Sequence, residues 1–397
     1  VMNSRVAITG IGVVTNAGVG IKSFWDSLLN GVPDHGFHVN DFDPLPYFDG
    51  NAKEARRSDR FTQFALAAAH EAIDQAGNFL NDPNLAGCWI GTGVGGLSTL
   101  ENQVAVHAEK GPRRVSPFLV PMMMANAASA SVSMKYGLQG PCETTVTACA
   151  AGTHSIGRAA DLIRFGKAKV MIAGGAEAAM TPVGSQGFIN MTAVSKTGIS
   201  RPFDEERDGF MQSEGAGVLV LEDWDHAETR GATILAEFLG SGSTADAHHI
   251  TAPAPGGNGA VRCMEAAITD ANLLPSDISY VNAHGTSTPL NDAAEAEAIS
   301  KVFDEHRPYV TGTKSVTGHS LGAAGAIEAV AVVLSILHET VPPTHGTSSI
   351  DPEVHDINLV LDQAVNWSPG PSISNSFGFG GHNGSIIIAP AAPKTSS

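Results

Sequence analysis

The chain has 397 residues, 43% of them hydrophobic and 16% charged, with 44 glycines spread along its length. That balance describes a folded enzyme larger than one ordinary domain and excludes disordered and fibrous proteins. A net charge of −17 excludes a broad nucleic-acid or anionic-membrane surface, so an acidic partner must meet a local basic patch.

In chain order, short apolar runs ending in glycine or small residues predict buried strands. They are VAITGIGVV after Arg5, WIGTG after Cys88, VMIAGGAE after Lys169, LVLE after Val218, SYVNAHG after Ile278, VTGTK after Tyr309 and IIIAP after Ser385. Helical patterns alternate with them, beginning at Phe61, Thr153 and Ala323. Such alternation predicts an α/β fold with largely parallel sheets and helices on their faces. No secretory apolar region opens the sequence and no apolar run of about 18 residues occurs, which predicts a cytoplasmic protein with reduced thiols.

Lys53, Arg56, Arg57 and Arg60 form the densest cationic cluster of the N-terminal part. It reads equally as a docking patch or as a solvated helix face. Gly91-Thr-Gly93-Val-Gly-Gly96 matches G-x-G-x-x-G, yet the acidic residue wanted about 20 positions on is missing, so no nucleotide cofactor is implied.

Of the four cysteines, Cys88, Cys142, Cys149 and Cys263, none lies in a C-x-x-C pair or at zinc-like spacing with histidine. Cys149, in VTACAAGTHS, falls at the expected start of a helix. There the backbone N–H groups and the helix dipole favour a thiolate, lower the pKa and can stabilise an oxyanion on a bound thioester. Burial as a small hydrophobe is the competing role for any one cysteine. A cysteine nucleophile needs a histidine or cationic neighbour, and two stand in glycine-rich loops after predicted strands, His284 in NAHGTSTP and His319 in KSVTGHS. His70, His107, His226 and His306 fall at ordinary helical positions.

The run GHSLG, residues 318–322, also satisfies the G-x-S-x-G pattern of a serine hydrolase, with Asp351 and His382 following in the right order. A nucleophilic Ser320 should sit directly on a strand-to-helix turn, but the strand YVTGTK ends several residues earlier. An internal echo points elsewhere. TACAAGTHSIGRAADLIRFG and TGHSLGAAGAIEAVAVVLSILH each put a reactive residue, Cys149 or His319, before a helix rich in small residues, and WIGTGVGG echoes VNAHGTST. Two related halves meeting near residues 232–240 follow from this, with their reactive loops brought together.

Cys149 in TACAAG, His284 in NAHGTSTPLND, Lys314 and His319 in KSVTGHSLGAAG, and the terminal NSFGFGGHNGS together resemble the β-ketoacyl-[acyl-carrier-protein] synthases, closest to their elongating type II class. RPFDEERDGF and GGAEAAMTP fit as well, and the likeness covers nearly the whole chain. The resemblance implies a thiolase-like fold of layered α-β-α-β-α architecture in a homodimer. Residues 1–235 would form the half carrying the nucleophilic cysteine and 236–397 the half carrying the two histidines.

It further implies that Cys149 takes an acyl chain from acyl-carrier protein as a thioester, with the N–H groups of Cys149 and Phe379 as oxyanion hole. Malonyl-carrier protein would then lose CO2 to give an enolate held by His284 and His319, which attacks the acyl-cysteine. Lys314 would orient the histidine network, with Glu295 as its buried partner and Asp292 beside it. Thr286 and Thr288 would lie near the malonyl arm, Phe379 would gate the pocket, and Phe188 would line it. Lys53, Arg56 and Arg57 would meet the carrier protein, and residues 115–130 would lie at the dimer interface and near the acyl pocket. No cofactor is implied, since phosphopantetheine arrives on the carrier, and no metal is assigned; the structural monovalent cation that the family sometimes implies has no specific ligand set in this sequence. His382, where many members carry threonine, is expected to be a variant neighbour of the site, and Thr192 stands where some relatives carry an arginine.

An alternative within this chemistry is the ketosynthase subunit of a type II polyketide system, and one from another class is a non-catalytic chain-length partner that binds rather than reacts. The presence of Cys149 speaks against the second. A thiolase-type enzyme is disfavoured because two histidines accompany the nucleophile.

Overall fold

The computed structural model describes residues 4–31, 36–354 and 357–392. Ten strands make its frame: β1 (Val6–Thr15), β2 (Ala86–Gly91), β3 (Cys142–Glu143), β4 (Val170–Glu177), β5 (Gly215–Asp223), β6 (Ala236–Ala245), β7 (Tyr280–Asn282), β8 (Tyr309–Thr311), β9 (Ser372–Gly378) and β10 (His382–Ala389). The first five are ordered β3-β2-β4-β5-β1 and the second five β8-β7-β9-β10-β6. Order and strand sense repeat, and an antiparallel β1–β6 pairing joins the two sets edge to edge.

The expected, largely parallel sheets are corrected to mixed ones. β3, β2 and β4, and likewise β8, β7 and β9, run parallel, whereas β4–β5, β5–β1, β9–β10 and β10–β6 are antiparallel. Connection geometry explains the difference: helical crossovers return a strand in parallel, while a tight hairpin such as 379–381 between β9 and β10 reverses it.

The principal helices are α1 (Arg60–Ala76), α2 (Ala151–Arg164), α3 (Pro182–Asn190), α4 (Asn258–Asp270), α5 (Pro289–Phe303) and α6 (Ala324–Leu337). α1 covers the outer face of the first sheet and α4, backed by α5, the outer face of the second. Between the sheets lie α2 and α6, which touch strands of both. α6 reads AGAIEAVAVVLSIL and is buried at every residue except Leu337, as an all-round apolar helix must be. The outcome is the layered α-β-α-β-α architecture, and among the described residues no helix is long and apolar enough to cross a membrane.

The internal echo has a structural basis, with a shift in register. α2 and α6 each follow a 3₁₀ turn whose first residue has positive φ, Ala148 at 48° and Leu321 at 47°. Counted from that turn, Cys149 matches Gly322 and His319 matches Val146, so the two reactive residues occupy different places in the repeat and complement one another. His306, expected on a helix, lies beyond the end of α5 and bonds the carbonyl of Ile278 at 2.6 Å.

Candidate active site

Cys149 sits in the 3₁₀ turn that leads into α2, with its side chain buried. His319 follows the short helix Lys314–Thr317. Its backbone is held by the neighbouring segment, His319 N–H donating to the Met211 carbonyl and Ser213 N–H to the His319 carbonyl. Between helix and histidine, Gly318 has φ 64°, and a Cβ there would meet the Phe37 ring at 2.6 Å, so only glycine makes this turn. His284 comes from the carboxyl end of β7; its N–H and that of Gly285 donate to the Glu295 carboxylate at 2.7 and 2.8 Å.

These three residues converge. His319 Nε2 lies 3.0 Å from Cys149 Sγ, the two imidazoles stand edge to face with centroids 5.3 Å apart, and one donor atom from each residue falls within 4.8 Å of the others. They line a cavity of about 640 Å³ together with Phe188, Phe379, Thr286 and Thr288. Ser320 is buried and does not line that cavity, which removes the hydrolase reading.

Lys314 is buried beneath the histidines. Its ammonium donates to the His284 carbonyl at 2.6 Å, contacts His284 Nδ1 at 3.2 Å, and pairs with Glu328. An ammonium only donates, so Nδ1 accepts and Nε2 of His284 carries the ring proton. The expected Lys314–Glu295 pairing is therefore corrected: Glu328 of α6 is the partner, and Glu295 fixes the backbone of the His284 loop. Sequence reasoning missed Glu328, although it is the one charged residue in an otherwise apolar helix.

Burial sets the charge states. It holds His284 and His319 well below the usual histidine range, with Lys314 adding to the effect, and pushes Glu295 and Glu328 up to about 7. The Cys149 thiol is also pushed up, to about 11, by burial, against the Lys314 charge and the backbone N–H groups of Phe379 and Cys149. The expected lowered thiol pKa is thus reversed in the resting site, because desolvation outweighs the groups that favour a thiolate. The site rests with a thiol facing a neutral imidazole, within reach of the backbone N–H groups of Cys149 and Phe379.

Other expected positions divide. Thr286 and Thr288 share a hydroxyl hydrogen bond of 2.9 Å. Asp292 accepts from the N–H groups of Phe203 and Ser287, a role in the loop scaffold. Phe188 meets Phe210 and Phe379, and Phe210, unforeseen in the sequence, stands edge-on to His319. His382 is exposed and does not line the cavity; the histidine that braces the site from behind is His154, which bonds Thr147 Oγ1 at 2.8 Å and the Asn383 carbonyl at 3.0 Å. Residues 115–130 do not line the cavity either. Lys53, Arg56 and Arg57 are exposed, with Arg57 stacked over Phe118, while Arg60 is taken up by the buried Glu214.

Asn282 Oδ1, Ser374 Oγ and Glu328 Oε2 are buried without a hydrogen-bond partner, and Asn282 and Ser374 are paired across β7 and β9. Oxygen donors such as those of the paired Asn282 and Ser374 suit a hard monovalent cation rather than a transition metal.

A buried thiol, two neutral imidazoles and paired N–H donors, placed between two topologically repeated sheets, define a thiol-dependent acyl-transfer enzyme of the thiolase-like class. Family models for the beta-ketoacyl synthase N-terminal and C-terminal domains match residues 34–227 and 235–348. A protein of Synechocystis named 3-oxoacyl-[acyl-carrier-protein] synthase 2 is 45% identical, over 96% of each chain. Its namesake from Staphylococcus aureus is also 45% identical, over 97% of this chain and 98% of its own.

Among solved structures, a beta-ketoacyl synthase from Burkholderia phymatum superposes with a TM-score of 0.91 at 32% identity, over 98% of this chain and all of its own. A type II polyketide ketosynthase, solved with its acyl-carrier protein, gives 0.90 at 31% with the same coverage. The chain belongs to the beta-ketoacyl synthase family.

Proposed function

We propose that this protein is a 3-oxoacyl-[acyl-carrier-protein] synthase, an acyltransferase that condenses an acyl-enzyme thioester with malonyl-acyl-carrier protein, releasing CO2, in fatty acid elongation. The observation that carries this reading is the 3.0 Å approach of His319 Nε2 to Cys149 Sγ beside a second imidazole whose Nε2 bears a proton.

In the first half-reaction the thiol attacks the acyl thioester while its proton passes to His319, the nearest base. The oxygen that gains charge meets the N–H groups of Cys149 and Phe379, and the carrier thiol leaves with a proton. In the second, malonyl thioester enters the same cavity past Thr286 and Thr288. Loss of CO2 places charge on its thioester oxygen, where the Nε2–H groups of His284 and His319 can donate without a metal. The enolate carbon attacks the acyl-cysteine, the C–S bond breaks, and the departing Cys149 thiolate takes up a proton from solvent to restore the thiol. Lys314 keeps His284 in the donating tautomer throughout.

In this reading residues 1–235 supply the nucleophile and 236–397 the histidines. The exposed Lys53, Arg56 and Arg57 orient the acidic carrier protein on an enzyme that is otherwise acidic. Support for a homodimer comes from β3, an edge strand with both residues exposed, beside exposed Met134 and Val146 at 77% and 51%; an open edge with apolar neighbours invites pairing with a second copy. A cytoplasmic location fits the same picture.

The solved neighbours include polyketide ketosynthases, which favours a second reading as the ketosynthase of a polyketide system. Fatty acid elongation is preferred because the 44–45% identical relatives bear the 3-oxoacyl-[acyl-carrier-protein] synthase name. Assaying the purified chain alone with acyl- and malonyl-carrier protein separates the two: turnover by an unaided homodimer supports elongation, and a requirement for a second, different subunit supports the polyketide reading.

A further inference from the structure

Glu177, at the end of β4, is fully buried and has no part in the reaction described above. Its Oε2 accepts from the Gly93 N–H at 2.6 Å and from the Gly322 N–H at 3.1 Å, and its Oε1 accepts from Thr92 Oγ1 at 3.1 Å. The Val94 N–H adds a further donor. Gly93 and Val94 form a wall of the catalytic cavity beside Cys149, whereas Gly322 stands three residues beyond His319, at the turn into α6.

The two loops approach so closely that a Cβ on Gly322 would lie 2.2 Å from the Gly93 nitrogen. Backbone N–H groups from both halves of the molecule thus crowd into one dry space, and a single carboxylate satisfies them. Without an acceptor these donors would be buried and unpaired, which forces such loops apart.

We propose that Glu177 is a positioning residue: it ties the cavity wall of the first half to the His319 loop of the second and thereby holds the imidazole against the Cys149 thiol. The inference rests on the condensing reading for its kinetic arm only. Its chemical arm reads the thiol directly. The titratable and charged groups facing that thiol are His319, His284, Lys314 and Glu177, and the Glu177 anion opposes ionisation of Cys149.

The test uses the full chain with Glu177→Gln and Glu177→Asp. Glutamine cannot accept with its amide nitrogen, so the donors on one side of the carboxylate, either the Gly93 and Gly322 N–H groups or the Thr92 hydroxyl, lose their acceptor and the anion is removed. Condensation kcat is expected to fall about tenfold or more with KM held within about twofold, the pattern of misplaced catalytic groups. The pH profile for iodoacetamide alkylation of Cys149, followed by intact mass, is expected to move to lower pH. Glu177→Asp keeps the charge and should return the alkylation profile to that of the unchanged protein while recovering part of kcat. A Gln variant with unchanged kcat and unchanged alkylation profile, or one whose loss of rate only tracks a lower Tm, overturns the proposal. If the Gln variant does not fold, the Asp variant decides: reduced kcat at unchanged Tm supports the role, and unchanged kcat overturns it. Failure of the unchanged protein to condense would refute the functional reading and leave the alkylation comparison intact.

Discussion

His319 Nε2 lies 3.0 Å from Cys149 Sγ although 170 residues separate them in the chain. Each residue precedes one of the two helices of the central layer, so the meeting of the two sheets makes the contact. His319 Nδ1 is buried with no hydrogen-bond partner, which leaves both neutral tautomers open. In the proposed mechanism the ring can then accept the thiol proton in one half-reaction and donate to the enolate in the other. His284 lacks that freedom because the Lys314 ammonium occupies its Nδ1.

A split between the histidines follows. His284→Ala should leave Cys149 acylation nearly intact and slow malonyl decarboxylation about 10²- to 10³-fold, the usual cost of a lost oxyanion donor. His319→Ala should slow both steps. Rapid-quench measurement of the acyl-enzyme and of released CO2 checks this, and equal effects of the two substitutions on both steps would contradict it.

Removing Lys314 strands a carboxylate. Lys314→Met leaves Glu328 buried without its cation, an error that costs about 3–5 kcal/mol in comparable buried pairs. The Lys314→Met/Glu328→Gln double variant should regain much of the lost thermal stability and none of the decarboxylation, because His284 still lacks the partner that fixes its tautomer. Calorimetry together with a CO2-release assay distinguishes the two losses.

Acid should destabilise the fold in part through the same histidines. Burial holds both well below the ordinary value of 6.5, so they are neutral when folded and bind protons when unfolded. Their contribution is full above the unfolded value and is lost as pH falls below it. Glu295 and Glu328, raised to about 7, act in the opposite sense: they favour the folded state below their unfolded value and lose that contribution as pH rises towards about 7. A His284→Asn/His319→Asn variant should therefore lose less Tm than the unchanged protein between about pH 7.5 and 5.5. An equal or larger loss would show that the histidines are not held neutral.

Charge reversal on the exposed patch, Lys53→Glu with Arg56→Glu, should raise KM for acyl-carrier-protein substrates and weaken the dependence of kcat/KM on salt. Turnover of the same acyl groups on free pantetheine should not change. If both substrate forms are affected alike, the patch has a different role.

Much of the fold could be read from the chain because buried strands and small-residue helices leave strong periodic signals. The three converging residues, Cys149, His284 and His319, were legible because each lies in a glycine-rich turn after a strand or before a helix. What escaped reading depends on three-dimensional placement. Glu295 and Glu328 look alike as acids near the motifs, and only the course of α6 through the central layer decides that Glu328 meets Lys314. The ionisation of Cys149 was misjudged because a helix start is visible in sequence while the depth of burial is not. Strand direction at β5 and β10 was missed because apolar runs look alike whichever way the chain returns.

The most direct test of the condensing mechanism is intact mass spectrometry of the protein and its Cys149→Ala variant, incubated with acyl-carrier protein bearing an acyl group and then with malonyl-carrier protein. An acyl adduct is expected on Cys149 alone, absent from the variant, and it should disappear as a β-ketoacyl product two carbons longer is formed. An adduct that survives the alanine substitution, or an acylated Cys149 that malonyl-carrier protein fails to discharge, would contradict it.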